Sequence, residues 1–452
     1  MKDNAGTGML ERVQDFVLDR PAGDMPEAVL RRAGYLMLDT LGICAAAGPM
    51  DAGRIGRETA ALLYGAGTPG TAARMLFDGR QVSLAGAVFA AANQLDNLDG
   101  HDGYNPTKGH IGLVTVPTLA VLAETLGDLG GRDALAALVV GYEIAGRAGI
   151  ALHATVSDYH TSGAWNALGV AAMAARLRGQ SRAQLRESLG IAEFWGPRSQ
   201  MMREIATPTM LHDGSAFGAM AGMTAAILAE QGFTGAPAVT VEAPEAAAFW
   251  QDLGTFWQVE HQYIKPYPTC RWTHAAVDAV RELCAEYGLV AGDIAEVRIR
   301  SFDYALALWP EMPETTSKAQ YGLPFPVAVM IVHGRIGLEH ISGAGLQDAE
   351  VARLVRATKL IREPRHEARY PEGRWADVEL VLTDGRVLAS GDVHARGGPE
   401  RPFSEADIVA KYMEFAEPAL GTTRAAGLRD AVLGLAEGAP FSEVARLLYD
   451  PL

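Results

Sequence analysis

The run from Leu95 to Pro117, Leu-Asp-Asn-Leu-Asp-Gly-His-Asp-Gly-Tyr-Asn-Pro-Thr-Lys-Gly-His-Ile-Gly-Leu-Val-Thr-Val-Pro, crowds Asp96, Asp99, His101, Asp102, Lys108 and His110 into one glycine-interrupted stretch. Carboxylates and imidazoles are metal-ligand types, so a metal is the first chemistry to weigh. No HExxH pair, calcium-loop spacing or Cys/His cluster accompanies them, and Lys108 would repel a cation. No metal is expected. Proton transfer fits the residue types better. His110 precedes one helix start, and His160, within Tyr159-His160-Thr161-Ser162-Gly163, precedes another. The partial positive charge at a helix N-terminus favours the neutral imidazole, the form that can accept a proton. A third motif runs from Lys265 to His274, Lys-Pro-Tyr-Pro-Thr-Cys-Arg-Trp-Thr-His, and leads straight into a helix. Its Arg271 and the free N–H groups of that helix would make an anion site suited to a carboxylate. Each motif also has a plainer reading, as a hydrogen-bonded loop histidine or as a linker with a helix cap.

The elements that must position these groups are mostly helical. Apolar spacing predicts helices over Met25–Ala47, Val82–Gln94, Asp133–Leu152, Ser162–Leu177 and Ser215–Glu230, the last capped by Asp213 or Ser215. Another is capped by Thr115, with Pro117 near its first turn, and runs to Gly127. After about Pro244 the character changes. Thr273–Tyr287 is helical, but Val297-Arg298-Ile299-Arg300 alternates, and Asp377–Val393 reads as a hairpin around Asp384-Gly385. Helices return over Glu405–Phe415 and Ala425–Leu435. The expected fold is mainly α: a large helical domain of residues 1–264 and 396–452, with a smaller α+β unit of residues 265–395 inserted before the C-terminal helices. Gly65-Ala66-Gly67-Thr68-Pro69-Gly70 matches GxGxxG as a string. It follows a helix and contains a proline, whereas a dinucleotide site needs a strand before it and a helix across it, so a loop is expected.

A length of 452 residues suits two domains. With 39 Lys and Arg against 54 Asp and Glu, the net charge is −15, and no basic stripe is available to neutralise a phosphate backbone, which argues against a nucleic-acid partner. Cys44, Cys270 and Cys284 form no CxxC pair, consistent with a reducing, cytoplasmic setting. The polar start Met1-Lys2-Asp3-Asn4-Ala5-Gly6 lacks the apolar core of a signal peptide, and no uninterrupted apolar run reaches membrane-spanning length.

Taken in order, these motifs resemble the MmgE/PrpD family over nearly the whole chain. Leu95-Asp96 through His110 and Pro117 looks like the family's Asp-rich segment and first active-site histidine. Tyr159–Gly163 through Leu168-Gly169 looks like the second. Leu211-His212-Asp213-Gly214, Lys265–His274 and Tyr321-Gly-Leu-Pro-Phe325 supply three more matches. The resemblance implies a cofactor-independent homodimeric enzyme acting on di- or tricarboxylates, by dehydration, epimerisation or decarboxylation. Carried over, His110, His160 and Lys265 fall on active-site positions, together with Asp96 or Asp99, one of which would orient a histidine. Lys108, Arg271, Cys270, His212, Tyr321 and His274 are expected to contact substrate. Three positions depart from the decarboxylase pattern: Thr209 stands where it has a lysine, Phe325 where it has an aromatic hydroxyl, with Tyr321 one helical turn away, and Cys270 where it has a histidine. The favoured expectation is therefore lyase chemistry on a substituted citrate or malate. Epimerisation is the runner-up, and a silent polycarboxylate binder is the reading from another class.

Overall fold

Apolar residues at helical spacing build the first half of the chain, seen in a computed structural model that describes residues 4–452, with side chains from residue 8. Met1–Asp3 of the polar N-terminus lie outside the described residues. The helices are α1 (Asn4–Gln14), α2 (Glu27–Ala47), α3 (Asp51–Leu63), α4 (Leu84–Asp96), α5 (Gly112–Leu126), α6 (Gly131–Thr155), α7 (Gly163–Leu177), α8 (Arg182–Trp195), α9 (Met201–Ala206) and α10 (Ser215–Glu230). α6 alone among the described helices has the length and apolarity of a membrane span, but 94% of that window is buried inside the protein. It is a core helix.

Alanine and glycine dominate α4, α7 and α10, and the reason is backbone proximity. A Cβ on Gly222 would lie 2.3 Å from the Ala167 carbonyl oxygen, and one on Gly218 would lie 2.5 Å from that of Gly163. Both clashes are with backbone, so the helices would have to separate. Gly222→Leu is expected to destabilise the protein by about 1–3 kcal/mol or more through overpacking. A denaturant melt checks this, and an unchanged midpoint would show that α7 and α10 are loosely packed.

Two helix N-termini differ from the sequence expectation, one in its start and one in its cap, each because a carboxylate from elsewhere in the chain does the capping. α5 begins at Gly112, not near Thr115, since Asp102 Oδ1 accepts the Gly112 N–H at 3.0 Å. Thr115 instead turns its hydroxyl back onto the Ile111 carbonyl at 3.3 Å, leaving Pro117 inside the helix. α10 begins at Ser215 as expected, but neither Asp213 nor Ser215 caps it with a side chain. Gly214 takes the cap position at φ 63°, where a side chain is disfavoured, and Asp96 Oδ2 accepts the Ser215 N–H at 3.2 Å. Val82 lies outside α4, in a two-stranded antiparallel pair of β1 (Ala72–Arg74) and β2 (Gln81–Ser83) that helical periodicity did not suggest. The GxGxxG string falls in the loop between α3 and β1.

The later part carries the main sheet. β3 (Ile294–Ser301) pairs in parallel with β4 (Thr358–Arg362) and antiparallel with β5 (Trp375–Leu382). β5 continues to β6 (Val387–Ala389) and also meets β7 (Val393–His394). Val378, Leu380 and Leu382 of β5 point to the buried face, and the β5–β6 hairpin turns at Gly385, φ 89°. The helices His274–Tyr287 and Pro324–His333 accompany this sheet. The chain then returns to the helical part. In helix Glu405–Leu420, Lys411 Nζ pairs with Asp39 of α2 at 2.6 Å and donates to the Gly100 carbonyl at 2.7 Å, pinning the loop below the titratable run.

Candidate active site

Where the loop 97–111 meets the segment 263–274 lies an enclosed cavity of about 20 Å³, room for roughly one water. It is lined by Asp99, Lys108, His110, Tyr159, Met201, Asp213 and Tyr263 from the earlier part of the chain and by Cys270, Arg271, Trp272, Tyr321 and Arg374 from the later part. A bridge between Gly103 and Tyr263, with N–H groups donating both ways at 3.0 and 2.8 Å, ties the two segments together.

His110 is the titratable group with the most defined state. Its Nδ1 lies 2.7 Å from the Asp102 carbonyl oxygen, an acceptor only, so Nδ1 carries the proton and Nε2 keeps a lone pair. The Asp102 peptide is itself held, because its carboxylate accepts from Tyr142 Oη at 2.6 Å and from Gly112. Burial, then the charge of Lys265, drives the His110 pKa well below 6.5. The imidazole is thus a neutral base across the ordinary pH range. Asp99 Oδ1 stands 3.9 Å from Nε2 and is ion-paired with Lys265, whose Nζ also donates to the Asp99 carbonyl at 3.0 Å. Burial pushes the Asp99 carboxyl up, with Lys265 opposing.

Asp213 was read from sequence only as a helix cap. In the structure it lines the cavity and accepts a short hydrogen bond from Ser162 Oγ, and Ser162 Oγ accepts the His110 backbone N–H at 3.0 Å. Burial raises its carboxyl to about 6, against the lowering effect of Ser162. Because the folded value is raised above 3.8, the folded state holds this proton more tightly than the unfolded chain. Stability from this group is fully present below 3.8 and is lost as pH climbs to about 6. Asp213→Asn, which keeps an acceptor for Ser162, is expected to raise the melting temperature relative to wild type at pH 7.5 and to leave it nearly unchanged at pH 4. A difference independent of pH would remove this assignment.

Cations dominate the remainder. Arg271 Nη1 and Nη2 donate to the carbonyls of Arg396 and Ala395 at 2.6 and 2.9 Å, and burial lowers its pKa to about 10. Lys108 Nζ sits 4.5 Å over the Tyr159 ring. Burial raises the Cys270 thiol to about 12, so it stays protonated. Asp99, Lys108 and His212, with φ of 44°, 54° and 45°, are held in the left-handed region. Such conformations cost about 1–3 kcal/mol each and persist where surrounding contacts enforce them.

Several expected residues stand elsewhere. Asp96 caps α10 and is not on the wall, so of the two aspartates it is Asp99 that faces His110. Lys265 is fully buried behind Asp99 and meets the cavity through it. His160 does not line the cavity. Its N–H donates to His153 Nε2 at 3.2 Å and the two rings stack at 6.5 Å, which draws it toward α6. His212 lies edge-on to Tyr321 at 5.2 Å, with neither ring nitrogen hydrogen-bonded. His274 Nε2 reaches the Thr269 carbonyl at 3.0 Å, and its Nδ1 is 3.5 Å from Arg271 Nη1, so it orients Arg271 and is not itself a cavity residue. Phe325 is core, while Tyr321 brings its phenol to the wall. Thr209 donates to Glu204 at 3.0 Å, outside the cavity. Tyr263, Met201 and Arg374 belong to no motif, and nothing in their types or spacing marks them, while Trp272 sits inside the Lys265–His274 segment without an expected role.

Two other features compete for attention. A cavity of about 1090 Å³ is lined by Asp51, Glu314 and neutral residues, with no cationic side chain, which does not suit a polyanion. His366, Asp377 and Asp392 cluster at ligand spacing, but Arg300, Arg365 and Arg369 already neutralise the carboxylates.

The chain is 23% identical to cis-aconitate decarboxylase of Aspergillus terreus, over 99% of the chain and 97% of that protein. It is 22% identical to the cis-aconitate decarboxylase-like protein oryM of Aspergillus oryzae, over 97% and 96%. Residues 11–251 match the MmgE/PrpD N-terminal domain, which carries Asp99, His110 and Asp213. Residues 267–437 match the MmgE/PrpD C-terminal domain, which carries Arg271, Tyr321 and Arg374 and runs on through the helices that return to α2. With both domains matched in sequence over most of its length, the chain belongs to the MmgE/PrpD family.

Proposed function

We propose that the protein is a lyase that dehydrates or hydrates a substituted citrate- or malate-like acid, removing a proton next to a carboxylate. The observation that carries this reading is a neutral His110 Nε2 on the wall of a cavity whose cations, half-buried Lys108 and buried Arg271 and Arg374, have no carboxylate partner among the described residues. Relatives named for cis-aconitate decarboxylation give independent support for a carboxylic-acid substrate.

In this mechanism His110 Nε2 takes the carbon-bound proton. The imidazolium that forms lies beside the Asp99 carboxylate, which stabilises it. Negative charge developing on the substrate carboxylate meets preorganised cations, the largest usual source of rate acceleration. Asp213, still partly protonated near neutral pH, gives a proton to the departing hydroxyl. Entry of a substrate requires lining residues to move apart, since the cavity is far too small. A homodimer and a cytoplasmic location are part of the same reading, the latter supported by three unpaired cysteines.

Turnover of citrate, 2-methylcitrate, malate and cis-aconitate, followed by proton NMR, tests the proposal. Formation of an alkene or of its hydrate supports it. Inverted configuration with an intact skeleton would instead identify an epimerase, a reading favoured by two acid/base groups, His110 and Asp213, on one cavity. Loss of carbon dioxide would identify a decarboxylase, against which stand Thr209 outside the cavity and Phe325 in the core.

A further inference from the structure

Arg374 lies just before β5, in a part of the chain that no motif singles out, yet it is 2% exposed and reaches the cavity. Its Nη1 donates to the carbonyls of Pro371 and Gly373, its guanidinium stacks 4.7 Å over Tyr370, and its Nε is buried with no partner. Among the described residues no carboxylate pairs with it. Lys108, which lines the same cavity, likewise has no carboxylate partner among the described residues, and after burial the charge of Arg374 is what lowers its pKa. Arg271 also feels Arg374 and likewise has a buried Nε without a partner. Three neighbouring cations, Arg271 and Arg374 buried and Lys108 half-buried, thus line one space whose two carboxylates are already engaged, Asp99 by Lys265 and Asp213 by Ser162. Buried charges in folded proteins are paired, because leaving them unpaired costs far more than their neighbours return. The missing counter-charge is therefore a ligand's, and the planar guanidinium fork matches a carboxylate.

We propose that Arg374 and Lys108 together form a carboxylate slot distinct from that of Arg271, so that the site selects ligands bearing at least two carboxylates. One carboxylate bridges Lys108 and Arg374 across the cavity, and another rests on Arg271. Because Lys108 and Arg374 come from segments far apart in the chain, a ligand that bridges them also ties those segments together. The proposal rests on the polycarboxylate reading above, but its test needs no turnover.

Titration calorimetry with three unreactive probes, tricarballylate, glutarate and butyrate, provides the test. Wild type is expected to bind tricarballylate and glutarate and to bind butyrate at least 10-fold more weakly. In Arg374→Gln, affinity for tricarballylate should fall by about 10–100-fold, the range expected for lost hydrogen bonds to a charged group, and the preference over butyrate should collapse. Lys108→Gln, at a half-buried position, should do the same to a smaller degree and carries the test if Arg374→Gln does not fold. Arg374→Gln or Lys108→Gln binding tricarballylate as wild type does would overturn the slot while leaving the polycarboxylate site standing. Wild type binding none of the probes would overturn both.

Discussion

Replacing His110 by alanine is expected to lower turnover by about 10²–10⁴-fold, the usual contribution of a general base, with little change in KM. The imidazole is built to accept and not to hold the substrate: the Asp102 carbonyl fixes its tautomer, Tyr142 and Gly112 fix Asp102, and burial keeps the ring uncharged. Burial also sets the pH dependence. With the His110 pKa driven well below 6.5, wild-type activity should not fall as pH drops through 6.5 on this residue's account. It should fall instead as pH rises past about 6, where Asp213 gives up the proton needed by the leaving group. A pH–rate profile with its only limb an acid one near 6.5 would contradict both assignments. So would a His110→Ala protein of near wild-type turnover, provided its melting temperature shows that it is folded.

Lys265→Met is expected to cost about 3–5 kcal/mol of stability, the penalty for leaving a buried carboxylate without its partner. Lys265 and Asp99 are 0% and 3% exposed at their side chains, and Asp99 is held at φ 44°, a conformation its ion pair helps enforce. The charge requires the cost, and the double variant separates charge from volume. Asp99→Asn with Lys265→Met removes both charges and should recover most of the lost stability, because a pair of neutral groups has no uncompensated ion to bury. Activity should not recover, since the imidazolium formed on His110 would then lack its stabilising carboxylate. Equal denaturation midpoints for Lys265→Met and wild type would mean that Asp99 sheds its charge at no cost. Recovery of activity in the double variant would remove Asp99 from the mechanism.

The helical half was legible because its periodicity is local. Ser215–Glu230 and the Ser162–Leu177 helix emerge from alanine-rich repeats within a residue of where they lie, and the Val378-Leu380-Leu382 alternation gives the hairpin. What periodicity could not supply were the starts of α5 and the cap of α10, since Asp102 and Asp96 reach them from ten and more than a hundred residues away. The same distance limits the site. His110, Asp99, Lys108, Arg271, Cys270 and Tyr321 stood out through their motifs and gather on one cavity. Asp96 and Asp99 could not be told apart by type, because only the left-handed turn at Asp99 sends its carboxylate toward His110 while Asp96 remains on the α4 end. Asp213 stood inside the Leu211–Gly214 match but suggested no role beyond a cap, and Arg374 carried no signal. One looked like a cap, and the other like any of the arginines that pair on the surface, such as Arg365 and Arg369. Their distinguishing property, burial without an opposite charge, exists only once the chain is folded.

The claim that His110 Nε2 removes a carbon-bound proton next to a carboxylate is tested most directly by solvent exchange. Wild type and His110→Ala would be incubated in deuterated water with each of citrate, 2-methylcitrate and malate, and deuterium in the recovered acids read by NMR. The expected result is incorporation beside a carboxylate with wild type for at least one of these acids, reduced by about 10²-fold or more in the variant. Incorporation at equal rates in the two proteins would contradict it.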